Sequence, residues 1–369
     1  MRIEKIETIP IVIPLKRVFG GSKYSVPSRC TVITRLYTDQ GLVSEVYNGD
    51  NRRHGPEICK IIRDELAPLV IGEDARAIER LWQKMFPIAH IVRDRKLAME
   101  AIACVDTALW DIMGKAQGVS VAALFGGVRD SLPIISIGGY YEDGVTLDHY
   151  RREMQMYRDR GMAGCKFKVG GLTPEKDLER VKAARDGAGP DFLIAVDANR
   201  GWPVEDARRF ARLVEPLDIL WFEEPCHWYD DAAGNAEIRR SSTIPVTAGQ
   251  SEITGHGVQR LIAAGGIDFC NLDASEAGGP SEWRRAAGLC ALNGVRMAHH
   301  EEGQIALHML AGVAHGTFVE CFADPDRDPI WDGLFVNRQA VKNGTLKLPD
   351  GPGFAIRLDW DMVKKYRVD

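Results

Sequence analysis

The chain has 369 residues, of which 45% are hydrophobic and 27% charged, and its formal net charge is −5. This length fits a large domain or two domains, the composition excludes a disordered chain, and the acidic balance argues against a nucleic-acid-binding protein. No stretch reaches the roughly 18 apolar residues that a membrane helix needs. We expect no signal peptide, because charged residues interrupt the apolar run at Met1–Arg17.

The eight cysteines are scattered singly, and none forms a Cys-x-x-Cys pair. Zinc ribbons and thioredoxin-like redox motifs are therefore excluded. Most of the cysteines lie in apolar runs, where a free thiol behaves as a small hydrophobic residue. This pattern indicates a reducing, cytoplasmic location rather than a disulfide-linked secreted scaffold.

The first third of the sequence reads as strands followed by helices. Ile3–Pro14 and Cys30–Thr38 are rich in strand-forming residues, and helical periodicity follows over Gly55–Leu69, Ala75–Met85 and Lys96–Lys115. Strands followed by helices are typical of an α+β unit. We therefore predict an α+β domain at residues 1–128.

From about Leu132 the pattern changes to a strict alternation of strands and amphipathic helices. The eight predicted strands are Ile134–Ile137, Cys165–Val169, Phe192–Asp197, Ile219–Glu223, Val246–Gly249, Ile267–Leu272, Val295–Ala298 and Phe318–Phe322. Seven helical segments separate them, and their lengths suit βαβ crossovers. The predicted fold class is α/β, with a (β/α)7β barrel at residues 129–330. A C-terminal segment, 331–369, is expected to pack back on the first domain.

Polar side chains occur at the C-terminal ends of seven successive predicted strands, the end at which barrel enzymes hold their active sites. These residues are Lys166, Lys168, Asp197, Asn199, Glu223, Glu224, Gln250, Glu252, Asp273, His299, His300 and Glu320. A single polar strand end is usually only a solvated group. A complete ring indicates a functional site, because uncompensated charges at one mouth would repel each other or be desolvated.

Oxygen donors on three adjacent strands of this ring predict a divalent cation. Asp197 and Glu223 end neighbouring strands, and the fifth strand adds Gln250 or Glu252. Converging hard oxygen ligands favour Mg²⁺ or Mn²⁺. The alternative is a set of strand-end carboxylates in separate salt bridges.

Candidate acid–base groups lie on both sides of the predicted cation. Lys166 and Lys168 alternate with Phe167, so they share a face and are expected to lower each other's pKa. A lysine brought towards neutrality can act as a base. On the other side Asp273 and His299 end neighbouring strands, and a carboxylate fixes the tautomer of an adjacent imidazole and raises its basicity.

Together these motifs resemble those of the enolase superfamily, and within it the mandelate racemase group, over nearly the whole chain. The motifs are Ala101–Asp111, Leu124–Gly127, Lys166-Phe167-Lys168, Asp197-Ala198-Asn199, Glu223-Glu224-Pro225, Asp273–Gly279, His299 and Phe318-Val319-Glu320. The resemblance implies a modified TIM barrel capped by the N-terminal α+β domain, which the C-terminal segment completes. It also implies one Mg²⁺ per chain and a homo-oligomer.

The resemblance further implies roles for the acid–base residues. Lys168 would be the base on one face of the substrate, and Lys166 would lower the pKa of Lys168 and contact the substrate carboxylate. Asp273 and His299 would form the acid/base dyad on the other face. Glu320 would hydrogen-bond the developing enediolate.

For the metal, the resemblance implies that Asp197 and Glu223 are ligands. Family members usually have an acidic third ligand after the fifth strand, where this sequence has Gln250. A glutamine oxygen can bind Mg²⁺ without adding charge, and Glu252 is the alternative ligand.

These roles predict abstraction of the proton α to a carboxylate, since a cation and hydrogen bonds stabilise the resulting charge. Bases on both faces permit racemisation or epimerisation, or elimination of a β-hydroxyl. As the resemblance implies, sites with both bases most often act on aldonates or aldarates, so we predict an acid-sugar dehydratase that forms a 2-keto-3-deoxy acid. A racemase, epimerase or cycloisomerase on the same site and a non-catalytic acid-sugar-binding barrel are the alternatives.

Further polar residues near the mouth suit a small hydroxylated carboxylate as substrate. They are Asn199, His300, Glu301 and Glu302 of the barrel and Lys23, Tyr24, Arg52 and Arg53 of the first domain. The loops Phe19–Tyr24 and Asn48–His54 are expected to close the mouth. An inward-pointing arginine of the second loop would bind a distal carboxylate and favour a diacid.

Overall fold

A computed structural model of the chain describes residues 1–49, 53–91 and 93–368, with Asp230 described by its backbone alone. Within the first of these ranges, three antiparallel strands form a sheet in the order β1–β2–β3. They are β1 (Ile3–Gly20), β2 (Ser25–Thr38) and β3 (Val43–Asn48). The sequence pattern does not predict β3, because Ser44 and Glu45 interrupt its apolar residues.

Helices cover this sheet and form the rest of the capping domain. They are α1 (Gly55–Ile61), which continues through a π-helical turn at Ile62–Leu66 into α2 (Ala67–Val70), then α3 (Ile78–Met85), α4 (Arg95–Gln117) and α5 (Val121–Phe125). The Asp94 side chain caps α4 by accepting a hydrogen bond from the Lys96 amide at 2.9 Å. Gly118 ends the helix with φ +69°, a left-handed conformation that favours glycine.

In the range 93–368, eight strands run parallel in the order β10–β9–β8–β7–β6–β5–β4–β11, in which the last strand along the chain, β11, pairs with the first, β4. They are β4 (Ser131–Gly138), β5 (Gly164–Lys168), β6 (Leu193–Asp197), β7 (Ile219–Glu223), β8 (Val246–Ala248), β9 (Phe269–Cys270), β10 (Arg296–Met297) and β11 (Val319–Cys321). A bridge between Met297 and Gly316 joins β10 to the segment before β11.

Seven helices connect these strands, so the predicted (β/α)7β fold is confirmed. They are α6 (Leu147–Asp159), α7 (Pro174–Ala188), α8 (Val204–Val214), α9 (Asp231–Ser241), α10 (Gly255–Ala263), α11 (Pro280–Leu292) and α12 (Gly303–Gly312). In the described part of the chain, no helix combines the length and apolar character that crossing a membrane requires. All eight cysteines are buried, and none of them forms a disulfide bond.

The C-terminal segment contains α13 (Pro329–Gly333), β12 (Thr345–Lys347) and α14 (Trp360–Tyr366). β12 pairs with β4 of the barrel. Farther on, the Phe354 amide donates to Asp111 of α4 at 2.8 Å, and Arg367 forms a bridge with Ile11 of β1. The segment therefore contacts both domains, and we propose the division 1–128, 129–330 and 331–369.

A buried carboxylate joins the capping domain to the barrel. Asp106 of α4 accepts hydrogen bonds from the Ser281 amide at 2.8 Å and the Ser281 hydroxyl at 2.7 Å, at the start of α11. A Cβ at Gly279 would lie 2.4 Å from Asp106 Oδ2. This close approach needs glycine, so we infer that the contact fixes how the two domains meet.

Replacing Asp106 with Asn should lower the free energy of unfolding by about 1–3 kcal/mol, because the amide nitrogen cannot accept the second hydrogen bond from Ser281. Urea unfolding measures this change. Asp350→Asn, at an exposed bend, is the matched control and should change stability by less than about 0.5 kcal/mol. Equal losses in the two variants would contradict the role of Asp106.

Candidate active site at the barrel mouth

A cavity of 240 Å³ lies where the capping domain meets the C-terminal ends of the barrel strands. The cavity is lined by Lys23, Tyr24, Val26, Lys96, Lys168, Asn199, Arg200, Gln250, Ser251, Glu276, His300, Glu301 and Arg327. The Tyr24 ring centroid lies 6.0 Å from Lys168 Nζ. The first of the two predicted loops, Phe19–Tyr24, is the tip of the β1–β2 hairpin and therefore contributes directly to this cavity.

Strand register brings the lysines and carboxylates together. Lys168 pairs with Asp197 across β5 and β6, and Asp197 pairs with Glu223 across β6 and β7. Lys168 Nζ lies 2.6 Å from Asp197 Oδ2. Lys166 Nζ lies 3.0 Å from Glu223 Oε1 and 2.8 Å from Glu320 Oε2. These five side chains are all buried and form two sets of ion pairs, one between Lys168 and Asp197 and one in which Lys166 contacts both Glu223 and Glu320.

The carboxylates reverse the predicted effect on the lysines. Burial lowers the pKa of Lys168, but Asp197 and other acidic groups raise it, and the result is well above the ordinary value. Burial likewise lowers the pKa of Lys166, and Glu223 and Glu320 raise it further than burial lowers it. Lys168 does lower the pKa of Lys166, as predicted, but carboxylates 2.6–3.0 Å from the two ammonium groups outweigh this effect, so neither lysine is brought towards neutrality.

The predicted metal ligands divide into two groups. Asp197, Glu223 and Gln250 are buried at successive strand ends. Glu252 instead pairs with Arg260 of α10, with Oε1 2.7 Å from the guanidinium. The structure thus brings Gln250 to the cavity, and the alternative ligand Glu252 is directed elsewhere.

The donor set fits a divalent cation. Burial raises the pKa of Glu223 to about 8, and the nearby Asp197 and Glu320 charges add to this increase. Gln250 Oε1 is buried and has no hydrogen-bond partner within the described residues. Two carboxylates and an amide oxygen are hard ligands of the kind that Mg²⁺ prefers. We conclude that these three side chains could hold the ion that the sequence predicts.

The histidine paired with Asp273 is His300. Its Nδ1 lies 2.8 Å from Asp273 Oδ2, while Asp273 Oδ1 accepts from the Ser275 amide and hydroxyl. In His299, Nδ1 lies 2.8 Å from the His300 carbonyl oxygen, and Nε2 accepts from the Ala274 amide at 3.1 Å. The structure therefore pairs Asp273 with His300 and not by a hydrogen bond with His299, although ligand atoms of Asp273 and His299 lie within 4.8 Å of each other; the Asp273–His299 dyad stays a prediction. β10 ends at Met297, so strand alternation no longer indicates which of the two histidines faces the mouth.

The surroundings of the two histidines shift their pKa values in opposite directions. Burial lowers the pKa of His299, which has no carboxylate among its hydrogen-bond partners. Burial also lowers the pKa of His300, but Glu301 and Asp273 raise it to about 9. With this raised pKa, His300 is an imidazolium at neutral pH. Because it also lines the cavity, it is in position to donate a proton.

Glu302 connects the barrel to the second cap loop. Its Oε1 accepts a hydrogen bond from the Gly49 amide at 2.6 Å, and burial raises its pKa well above the usual range. Ligand atoms of Asp273, His299 and Glu302 lie within 4.8 Å of one another, but both His299 nitrogens already have backbone partners. We therefore assign no metal there. The structure gives Glu302 a cap contact, whereas its predicted role was to bind substrate.

The other predicted substrate residues have separate outcomes. Lys23, Tyr24 and Asn199 line the cavity. Arg52 lies outside the described residues, and Arg53 Nε donates to Ser28 Oγ at 3.3 Å.

Sequence reasoning did not single out Lys96, Arg200, Ser251, Glu276 and Arg327, all of which line the cavity. Lys96 Nζ pairs with Glu276 Oε2 at 2.7 Å. Glu276 lies inside the Asp273–Gly279 motif, which was the available signal for it. Lys96 begins α4 of the cap, and its approach to the mouth depends on how the domains pack.

Strained backbone marks the same region. Asn199, Arg200, Glu224, Glu301 and Glu302 have φ between +38° and +61°. Non-glycine residues adopt this left-handed conformation rarely, and such residues concentrate at functional sites. All five follow β6, β7 or β10 at the mouth.

Comparison with known proteins gives consistent matches over this architecture. Residues 8–126 match the model of the mandelate racemase/muconate lactonizing enzyme N-terminal domain, and residues 149–362 match the enolase C-terminal domain-like model. The chain is similar to the crystal structure of a mandelate racemase/muconate lactonizing enzyme from a marine actinobacterium in complex with magnesium. The TM-score is 0.93 at 44% identity, and the match covers 100% of this chain and 99% of that chain.

Two curated relatives match most of the chain. It is 30% identical over 371 residues to the 3,6-anhydro-alpha-L-galactonate cycloisomerase of Streptomyces coelicolor, covering 99% of each protein. It is also 30% identical over 343 residues to the arabinonate dehydratase of Saccharolobus solfataricus, covering 91% of this chain and 90% of the relative.

Proposed function

The chain belongs to the mandelate racemase/muconate lactonizing enzyme family of the enolase superfamily, and from this premise we propose that it dehydrates an acid sugar to a 2-keto-3-deoxy acid. The observation that carries the proposal is the shared cavity of Lys168 and His300. A base and a protonated imidazole on strands that are not neighbours can act on two adjacent carbons of one substrate.

Asp197, Glu223 and Gln250 would hold one Mg²⁺, which when bound stabilises negative charge on the substrate carboxylate. The relative from the marine actinobacterium, described as a magnesium complex, supports this choice of ion. The chain's own contribution is two buried carboxylates and an unpartnered amide oxygen at one level of the barrel.

Lys168 takes the α-proton on one face of the substrate. Asp197 raises the pKa of Lys168, so any interaction that withdraws charge from Asp197 makes the neutral amine more accessible. Lys166, held between Glu223 and Glu320, donates hydrogen bonds where charge accumulates on the carboxylate. Their burial excludes water from this side of the reaction.

His300 completes the reaction on the neighbouring carbon. As the bond between the β-carbon and its hydroxyl oxygen breaks, the imidazolium gives its proton to the leaving oxygen, which departs as water. The enol that remains takes up a proton at the β-carbon, loses the proton of its α-hydroxyl group, and becomes the 2-keto-3-deoxy acid. Asp273, at 2.8 Å from Nδ1, fixes the ring so that Nε2 carries the transferred proton.

The pKa of His300 predicts how the rate depends on pH. Because the folded-state pKa is about 9, the imidazolium is present at pH 7 and is lost as the pH rises through about 9. We expect kcat for elimination to fall above that pH. Asp273→Asn removes one group that raises this pKa, so the fall should move to lower pH. A pH–rate profile of kcat that is flat to pH 10 in the wild type would contradict the acid role of His300.

Ring opening is the second candidate, favoured by the cycloisomerase relative that matches 99% of the chain. In a 3,6-anhydro acid the oxygen on the β-carbon belongs to a ring ether. The same proton abstraction by Lys168 and protonation by His300 would then open the ring without releasing water. Both candidates therefore use the same residues and differ in the leaving group.

A screen of aldonates, aldarates and 3,6-anhydro acids with MgCl2 tests the proposal. The assay scores 2-keto-3-deoxy products with a carbonyl reagent, and mass spectrometry records loss of 18 Da for dehydration or no mass change for ring opening. The proposal predicts a keto product from at least one member of these classes. Binding of a sugar acid without any product would support the non-catalytic alternative.

We also propose a cytoplasmic homo-oligomer. Support comes from the eight buried cysteines, which form no disulfide bond and suit a reducing compartment. Trp228 and Tyr229, which follow β7, are 70% and 72% exposed, which is unusual for large aromatic side chains. Sedimentation of the wild type and of a Trp228→Ala, Tyr229→Ala variant tests the assembly.

A further inference from the structure

We propose that Glu224 is a positioning residue that fixes the amide of Gln250 so that its carbonyl oxygen is available to a divalent cation. The proposal rests on the proposed function, since it concerns the cation of the same site. It explains how this chain can use a neutral side chain as its third oxygen donor.

Gln250 makes one side-chain hydrogen bond and leaves its other polar atom unpaired. Nε2 donates to Glu224 Oε2 at 2.6 Å, and the backbone amide donates to Asn271 Oδ1 at 3.2 Å. The residue is only 7% exposed, and its Oε1 is buried without a hydrogen-bond partner among the described residues. A buried acceptor needs a partner, and an ion or a water can supply it.

An amide needs orientation before it can bind a cation. Gln250 can present either its oxygen or its nitrogen to the site, and only the oxygen binds a metal ion. Glu224 can select between them, because a carboxylate accepts hydrogen bonds and therefore attracts the amide nitrogen. With the nitrogen held at 2.6 Å from Glu224, the oxygen is left for another partner.

The Glu224 carboxylate is itself held by donors. Its Oε1 accepts from the Ser251 hydroxyl at 2.6 Å, and Arg200 Nε lies 3.5 Å from its Oε2. Every side-chain group that contacts it donates, so both oxygens act as acceptors. These contacts hold the Glu224 carboxylate in the position in which it orients Gln250.

The backbone directs the consecutive carboxylates of Glu223 and Glu224 to different partners. Glu224 has φ +38°, and its amide donates to the Thr247 carbonyl at 2.9 Å. Glu223 contacts Lys166, whereas Glu224 contacts Gln250. A strained conformation held in this way is typical of a functional constraint.

A double-mutant cycle on substrate-free protein tests the proposal, with the Mg²⁺ dissociation constant measured by titration calorimetry. The variants are Gln250→Ala, Glu224→Asn and their combination. Asn tolerates the left-handed backbone but is too short to replace the contact. Glu224→Asn should weaken Mg²⁺ binding about 10–100-fold, the usual effect of losing a ligand's outer partner. Gln250→Ala removes the ligand itself and should weaken binding at least as much, and the combination should weaken it no further than Gln250→Ala.

Two more variants sharpen the cycle. Glu224→Gln keeps an acceptor oxygen for the Gln250 nitrogen and should recover most of the affinity. Glu252→Gln, which alters the carboxylate paired with Arg260, should leave the dissociation constant unchanged. Thermal melting in EDTA checks that every variant is folded.

Three outcomes would overturn the proposal. Additive losses in the double variant would make Glu224 a direct ligand. Unchanged binding in Gln250→Ala would remove Gln250 from the site, and weakened binding in Glu252→Gln would give its place to Glu252. Turnover of acid sugars by the wild type is measured separately, so the metal site can be as proposed while the proposed function fails, or the reverse.

Discussion

His300→Asn should lower kcat for dehydration by roughly 10²–10⁴-fold, the usual contribution of a general acid. Asn keeps a similar size but cannot donate the proton that the leaving hydroxide needs. Lys168 remains in place, so the variant should still exchange the α-proton with solvent when the substrate presents that proton to Lys168. Steady-state kinetics and deuterium exchange, measured on the best substrate of the screen, check both expectations.

His299→Gln is the matched control. Both nitrogens of His299 contact backbone groups, and glutamine can also donate and accept hydrogen bonds. We expect a loss of stability but a kcat within a few-fold of wild type at a temperature where the protein is folded. A large loss of kcat in the His299 variant with full activity in the His300 variant would reverse the assignment.

Lys168→Met should lower the rates of dehydration and of α-proton exchange on the same substrate by roughly 10²–10⁴-fold or more. Methionine fills the space of the lysine side chain but has no proton acceptor. Its loss also leaves Asp197 without the ammonium group at 2.6 Å, so binding of substrate should be measured alongside kcat.

The control for this variant is Lys176→Met, an exposed residue of α7 that does not line the cavity, and this change should leave both rates unchanged. Persistent exchange in Lys168→Met would move the base to His300. Loss of exchange in both the Lys168 and His300 variants would mean that neither residue acts alone on the α-proton.

The sequence predicted the site well where strands are long enough to show alternation. β5 ends in Lys166-Phe167-Lys168 and β6 ends at Asp197, and their register places the lysine beside the carboxylate. Buried parallel strands are continuous apolar runs, so a charged residue at their end is conspicuous. The barrel follows from the regular alternation of strands and helices, and the cap follows from strands that precede helices.

The errors arise where strands are short. β8 covers only Val246–Ala248, and Gly249 then turns with φ +140°, so Gln250 and Glu252 do not continue one face. β10 covers only two residues, so strand alternation gave no basis for preferring His299 to His300 as the partner of Asp273. Side chains alternate between the two faces of a sheet only within a strand, so the alternation predicts nothing beyond the last residue of the strand.

Other features depend on contacts between distant segments. The raised pKa of Lys166 comes from Glu223 and Glu320, which local sequence cannot place beside it. Arg327 lies between β11 and α13 and Lys96 lies in the cap, and the two reach the cavity through the packing of segments that are distant in the sequence. Such groups could be found only once the tertiary structure was known.

The most direct test of the central claim, β-elimination by Lys168 and His300, is proton NMR of the wild-type reaction in deuterium oxide with Mg²⁺. We predict that loss of the substrate α-proton signal is matched by growth of a 2-keto-3-deoxy acid whose β-carbon carries one deuterium. Incorporation of deuterium at the α-carbon of unreacted or inverted substrate, with no keto acid formed, would contradict the account and identify a racemase or epimerase.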